Sequence, residues 1–307
     1  MPESVQVLMS TYNGETYVEE QIESILTQDH PNVRLLIRDD GSSDATVSIL
    51  KDYASLHANV EYMAEDNLGV VGSFFRLLEC AEAADYYAFS DQDDVWRSDK
   101  LARAVDRLLR EQRTDDEPLL YFNRQEFVDA NLNHLGYSLE PSITGFRNAL
   151  VQNPALGCTT VLNAAAHRLL VENPPDEALM HDWWAYAVVS AFGRVFYDPA
   201  PTLRYRQHGG NVVGDSESRV EHFRRRLVRF LTTNWRDDIF RPSDQAEELV
   251  RVFGSDLPGS ARRRVRRMLR SKQSLAARIL YALTADVRRT TAVDNLLFRF
   301  MVLINRY

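Results

Sequence analysis

The chain is 307 residues long, 45% hydrophobic and 26% charged, with a net charge of -8 and two cysteines, which is enough to bury a sizeable core in one large domain or two smaller ones. It has no apolar run approaching the ~18 residues of a spanning helix and is expected to carry no secretory signal, and Cys80 and Cys158 alone exclude a disulfide framework or a cysteine-built zinc site. The composition reads as a globular, cytoplasmic protein whose charge is unevenly spread: residues 215–307 hold 20 Lys plus Arg against 11 Asp plus Glu, and residues 1–214 hold 16 against 33.

Residues 5–9 (VQVLM) read as a short buried strand ending in the polar turn Ser10-Thr11-Tyr12-Asn13-Gly14. Residues 15–28 then carry Tyr17, Val18, Ile22, Ile25 and Leu26 at helical spacing, and His30-Pro31 stops the helix. A second strand at 33–37 runs into Arg38-Asp39-Asp40-Gly41-Ser42-Ser43-Asp44, where Ser43 or Asp44 caps a helix through Tyr53. The third unit has a strand at 60–63, the turn Asp66-Asn67-Leu68-Gly69 and a helix over 71–83. Strand, polar turn and helix repeating in this order predict an α/β protein, a Rossmann-like, mainly parallel central sheet flanked by helices. There is no GxGxxG after the first strand and no GxxxxGK motif anywhere, so dinucleotide and P-loop readings lack their phosphate cradle.

The fourth strand, 86–89, leads into Ser90-Asp91-Gln92-Asp93-Asp94-Val95-Trp96. Three carboxylates thus reach the C-terminal end of a strand, where open α/β sheets bind their ligands. Like charges so close repel unless water or a cation intervenes, and Asp91 and Asp93 can share a hard divalent ion through oxygen. A solvated acidic turn before the helix that begins near Asp99 is the other reading. Farther on, 101–109 is helical, 119–123 a strand and 131–148 loop-rich. Residues 156–162 read as a buried strand or strand pair, in which Gly157 permits close approach of a ligand or marks a bulge. His181-Asp182-Trp183-Trp184 opens an apolar helix to Phe192, and two short strands, 195–197 and 203–206, precede Gln207-His208-Gly209-Gly210-Asn211. Arg-rich helical segments follow, so the chain divides into a catalytic region, 1–214, and an α-helical C-terminal extension, 215–307.

Six stretches in this order and spacing, STYNGETYVEEQIESILTQ, IRDDGSSDAT, DNLGVVGSF, FSDQDDVWRSDKL, MHDWW and YRQHGGNVVG, resemble glycosyltransferase family 2, and within it the bacterial rhamnosyltransferase-like members. The resemblance spans residues 5–214 and leaves the basic end outside. It implies a GT-A fold, a nucleotide-diphosphate sugar donor, a divalent metal (Mg²⁺ or Mn²⁺) and inversion at the anomeric carbon. On this resemblance Thr11 and Tyr12 flank the base, with Ser10 and Asn13 in the same turn. Asp40 accepts a hydrogen bond from the pyrimidine imide, since an ionised carboxylate only accepts and the N3 group of uracil or thymine donates. Asp39 caps or braces its turn, and Asn67 and Gly69 lie along the nucleoside. Asp91 meets the ribose or the metal, with Gln92 beside it on the donor; Asp93 ligates the metal, Asp94 orients its neighbours and His208 completes the site. An imidazole ligand tilts the choice toward Mn²⁺. Trp96 either walls the donor-sugar pocket or is a core tryptophan. Gly157 and Arg206 are counted with the donor-binding residues, Arg206 helping the metal to neutralise the leaving diphosphate. Asp182 is the catalytic base, because sugar hydroxyls are weak nucleophiles that need a carboxylate to take the proton. A helix cap is its alternative role, and His181 stands where many relatives have an acidic residue, which leaves its part open.

The implied reaction moves L-rhamnose from dTDP-L-rhamnose to a hydroxyl of a growing bacterial surface polysaccharide or lipid-linked glycan, and UDP-sugars suit the same turn chemistry. A glycoside hydrolase, which also uses paired carboxylates, and a noncatalytic carbohydrate-binding protein on the same fold are the competing classes. The basic end docks at the inner face of the plasma membrane beside a lipid-linked acceptor, or forms a homodimer. Nucleic acid is not an expected partner, because the body is acidic and the tail lacks a base-stacking pattern.

Overall fold

The structure, a computed structural model, describes residues 2–207 and 241–307, so His208, expected as a metal ligand, lies outside the described residues. β1 (Val5–Thr11) is apolar at consecutive positions because both of its faces are covered within a nine-stranded sheet. Two parallel neighbours flank it, β2 (Val33–Asp39) and β4 (Tyr86–Ser90), with Val7 opposite Leu35 on one side and Ala88 on the other. β3 (Val60–Ala64) adds to β2, and α1 (Val18–Leu26), α2 (Thr46–Leu56) and α3 (Gly69–Cys80) make the connections. The chain leaves β1 on the β2 side and returns on the β4 side. The strand order therefore reverses between β1 and β4, which opens a crevice at their C-terminal ends.

Past β4 the sheet is mixed. β5 (Val95–Trp96), β6 (Leu119–Val128), β7 (His134–Tyr137), β8 (Thr160–Asn163) and β9 (Arg194–Arg206) complete it in the order β3-β2-β1-β4-β8-β6-β9-β5, with β7 on β6. β8 is antiparallel to both β4 and β6, whereas β6 and β9 are parallel. The two short strands expected over 195–206 are one, since β9 pairs with β6 along its length and register shifts around Arg124 absorb Pro199 and Pro201, which have no N–H to give the ladder. The segment expected as a strand from Leu156 starts with a 3₁₀ turn, Gly157–Thr159, and becomes β8 only afterwards. Within the expected loop lie β7 and the short helix α5 (Phe146–Ala149).

Strand alternation divides the core. Val7, Met9, Leu35 and Ile37 pack beneath α1, α2 and α4 (Lys100–Glu111), whereas Leu8 and Leu36 face α3, α6 (Ala164–Glu172) and α7 (His181–Phe192). The C-terminal helices α8 (Pro242–Phe253), α9 (Gly259–Ser271), α10 (Leu275–Thr284) and α11 (Ala292–Leu303) extend this second layer, with Leu249, Val265 and Phe298 in the same buried cluster as Trp184. Phe253 stacks on Trp184 with ring centroids 6.3 Å apart, and the buried Tyr307 hydroxyl meets Ser271. The helical extension and the α/β body thus share one continuous core.

Candidate active site

A cleft of about 410 Å³ opens at the β1–β4 crevice, lined among others by Thr11, Tyr12, Asp40, Asp91, Asp93 and Asp182. Its first wall comes from the ends of β1 and β2. Asp39 accepts from the Gly41 and Ser42 amides at 3.2 and 2.8 Å and from the Thr11 hydroxyl at 3.0 Å, so it braces the turn as expected. Asp40 faces the cleft. Its Oδ1 is taken by the Arg38 guanidinium at 2.5 Å and the Leu68 amide at 2.7 Å, while Oδ2 has no protein partner among the described residues. Arg38 is fully buried, and Glu65 at 3.1 Å and the Asp66 carbonyl at 2.7 Å occupy its remaining donors. Asn67 ties the second wall to the first by donating to the Asp40 carbonyl at 2.8 Å and accepting from Gly69 at 3.1 Å. Gly69 has φ +71°, the left-handed region that a side chain would disfavour, and it starts α3 beside the cleft.

The acidic loop after β4 forms the floor. Gln92 clips the Tyr12 backbone from both sides, accepting from its amide at 2.8 Å and donating to its carbonyl at 3.1 Å, which leaves the Tyr12 ring half exposed. Asp91, Asp94 and the Cys158 sulfur place ligand atoms within 4.8 Å of one another. Burial, reinforced by the charges of Asp93 and Asp182, pushes the Asp91 carboxyl up to about 7. Asp94 is pushed well above the ordinary carboxylate range by burial first and then by the charges of Asp93 and Asp91; its Oδ1 accepts from the Arg206 amide at 3.1 Å, while its Oδ2 is buried with no hydrogen-bond partner among the described residues. Burial also raises the Cys158 thiol, so sulfur is a neutral donor to these carboxylates and a poor ligand for a hard ion. Lys100 lies beneath, fully buried, donating to the Cys158 carbonyl at 2.8 Å; burial lowers its ammonium to about 8. Crowded carboxylates, one with a buried oxygen that finds no hydrogen-bond partner among the described residues, fit a divalent cation bound through oxygen.

The third wall is the start of α7. Asp182 is buried, accepts from the Gly157 amide at 2.8 Å and the Trp183 amide at 2.5 Å, and lines the cleft; burial raises its carboxyl to about 6 despite these donors. His181 stacks on Phe74 with centroids 3.7 Å apart, and burial lowers it to about 3, so the imidazole is neutral. A Cβ on Gly157 would stand 2.7 Å from His181 Nε2, which explains the glycine by close approach and not by a strand bulge.

The model of the family described as "Glycosyl transferase family 2" matches residues 6–172, more than half of the chain and all of the strands and turns that build this cleft up to α6. The chain belongs to glycosyltransferase family 2. This family 2 transferase is 29% identical over 234 residues to the dTDP-rhamnosyl transferase RfbG of Shigella flexneri, covering 72% of this chain and 79% of that protein. Among solved structures it is similar to Staphylococcus aureus TarS in complex with UDP, at TM-score 0.57 and 16% identity, over 99% of this chain and 80% of that one. A mannosyltransferase from Pyrobaculum calidifontis, in complex with GDP-Man and Mn²⁺, matches at TM-score 0.50 and 17% identity, over 100% and 81%. These likenesses show the GT-A fold.

Most of the residues expected at the site of the family 2 transferase meet on the cleft, from Ser10 through Asp182, and three are elsewhere. Asn13, at φ +47°, accepts from the Ser43 amide at 2.8 Å and knits two turns together. Trp96 is a core residue, 4% exposed, with the Lys100 ammonium 4.3 Å from its ring centroid. Arg206 does not line the cleft. Its guanidinium donates to the Asp93 carbonyl at 2.9 Å and to Glu20 and covers the Tyr17 ring at 4.5 Å, so it props the acidic loop from behind. Asp93 lines the cleft without joining the Asp91, Asp94 and Cys158 group. Sequence reasoning missed Lys100 and Cys158 at this site; Cys158 is next to the flagged Gly157, but nothing in the spacing marks Lys100.

Proposed function

We propose that this transferase moves L-rhamnose from dTDP-L-rhamnose, with inversion, to a hydroxyl of a growing bacterial surface polysaccharide or lipid-linked glycan. The observation that carries the reading is a single cleft onto which a pyrimidine-matching carboxylate, an under-compensated acid cluster and a buried candidate base all open. Asp40 Oδ2 accepts the N3–H of the thymine ring, and the Tyr12 ring covers it. Asp91 and Asp93, backed by Asp94, would hold the divalent cation, which offsets the charge of the departing diphosphate. Asp182, ionised above about pH 6, takes the acceptor hydroxyl proton as the new oxygen–carbon bond forms and the bond from the anomeric carbon to the diphosphate oxygen breaks. The bond's electrons leave with dTDP. The Gly157 and Trp183 amides hold the carboxylate in place during the transfer.

The rhamnosyl donor is favoured by the likeness to RfbG, and a UDP-sugar is the second reading because uracil offers the same N3–H, as the likeness to UDP-bound TarS suggests. A screen of nucleotide sugars with Mg²⁺ and with Mn²⁺, followed by the winning donor with glycan acceptors, tests the proposal. Metal-dependent consumption of dTDP-L-rhamnose supports it; turnover confined to UDP-sugars replaces the donor, and failure to bind any nucleoside diphosphate removes the transferase reading altogether.

A further inference from the structure

Helices α9, α10 and α11 pack in succession on the body, and each leaves one stripe outward. On α10, Leu275, Ile279, Leu280 and Leu283 recur at helical spacing and are exposed, Leu283 to 72%. Val293, Leu296, Phe300 and Leu303 do the same on α11, with Leu296 70% exposed. Two adjoining helices with solvent-facing leucines are costly in water unless something covers them. On α9 the outward positions are Arg263, Arg266, Arg267 and Arg270, one face of that helix; Arg263, Arg266 and Arg270 make no ion pair or side-chain hydrogen bond among the described residues. Residues 259–307 hold twelve Lys plus Arg and two Asp, and one of those acids, Asp286, is already paired with Arg264 at 2.9 Å.

We infer that this face lies on an anionic lipid bilayer surface, with the α10 and α11 leucines in the headgroup boundary and the α9 arginines on lipid phosphates and acidic headgroups. The charge pattern selects this occupant. A two-fold dimer through the same face would set the four outward α9 arginines against a second set of four, whereas an anionic leaflet complements them. The helices rest on the surface and do not cross it: α10 and α11 are about 15 and 18 Å long, against a hydrocarbon core of about 30 Å, and no described helix is long and apolar enough to span. This inference is independent of the donor.

Flotation of the full chain with vesicles of neutral phosphatidylcholine, and with vesicles containing about 30% phosphatidylglycerol, tests it. The protein is expected to float with the anionic vesicles, at least about tenfold more strongly than with neutral ones, and to be partly released by about 0.5 M salt. Leu280→Glu with Leu283→Glu and Leu296→Glu should abolish flotation; Arg263→Glu with Arg266→Glu and Arg270→Glu should abolish it too, with nucleoside diphosphate binding unchanged in both variants as the check on folding. The inference is overturned if wild type does not bind anionic vesicles, if neither variant weakens binding, or if light scattering finds a dimer that the leucine variant converts to a monomer.

Discussion

Asp40 and Asp91 open on the same cleft, yet the protein treats their charges differently. Asp40 shares its Oδ1 with a fully buried guanidinium and an amide, so its charge is matched by the fold itself and its second oxygen is presented to a ligand. Asp91 is surrounded by Asp93, Asp94 and Asp182, while the buried Lys100 donates to the Cys158 carbonyl and the buried Arg206 guanidinium to the Asp93 carbonyl. A carboxylate already compensated recognises a hydrogen-bond donor, which is what a pyrimidine edge supplies. Carboxylates left uncompensated recognise positive charge, and burial makes that preference strong.

This contrast can be broken at several points. The largest expected effect is at the base: Asp182→Asn should lower kcat by about 10² to 10⁴-fold while donor affinity stays within a few-fold, measured by donor consumption beside calorimetric titration. If the variant keeps wild-type turnover, Asp182 is only a helix-terminal residue. Next is Arg38→Met, which strands the Asp40 charge in the interior and should cost about 3–5 kcal/mol in urea unfolding. A loss under about 1 kcal/mol would mean that Asp40 is not compensated by this pair. Asp40→Asn should weaken nucleoside diphosphate binding by about 10 to 100-fold, since a charge-assisted hydrogen bond is replaced by a neutral one. Equal affinity would place the base elsewhere.

The smallest effect concerns the acid cluster. The Asp91 and Asp182 carboxyls ionise near 7 and 6 in the folded chain and near 3.8 ordinarily, so between about pH 4 and pH 7 the folded state holds more protons than the unfolded one. Stability of chelator-treated protein should therefore fall as pH rises through that window, and saturating Mn²⁺ or Mg²⁺ should flatten the slope. Asp91→Asn should stabilise the chelated protein at pH 7.5 by about 1–2 kcal/mol, because water reaching this partly exposed carboxylate screens much of the repulsion. A stability that rises across the same pH range, or an Asn variant less stable than wild type, would show that the cluster is already compensated within the fold.

Local pattern was sufficient wherever adjacent residues did the work. Repeated strand, polar turn and helix predicted the parallel half of the sheet, and the turns carrying Thr11, Asp40 and Asp91 reach one crevice because parallel strands end on the same side. The mixed half was less legible, since the pairing of β8 and β9 depends on partners far away in sequence, and the prolines of β9 look like strand ends until β6 is seen to bridge them. Trp96 and Arg206 sit within motifs and still turn away from the cleft, because their surroundings are set by Lys100 and by Glu20 and Asp93.

What the amino-acid order determined by itself is which chemical groups fall at strand ends and which helix faces carry leucine or arginine, because periodicity and turn chemistry act over a few residues. What tertiary structure alone decided is which charges are matched. Compensation of Asp40, the Arg206 amide on the buried Asp94 carboxylate and seating of Asp182 against Gly157 each depend on a partner at least two residues and as many as 112 away in the chain, and electrostatic energy follows distance in space.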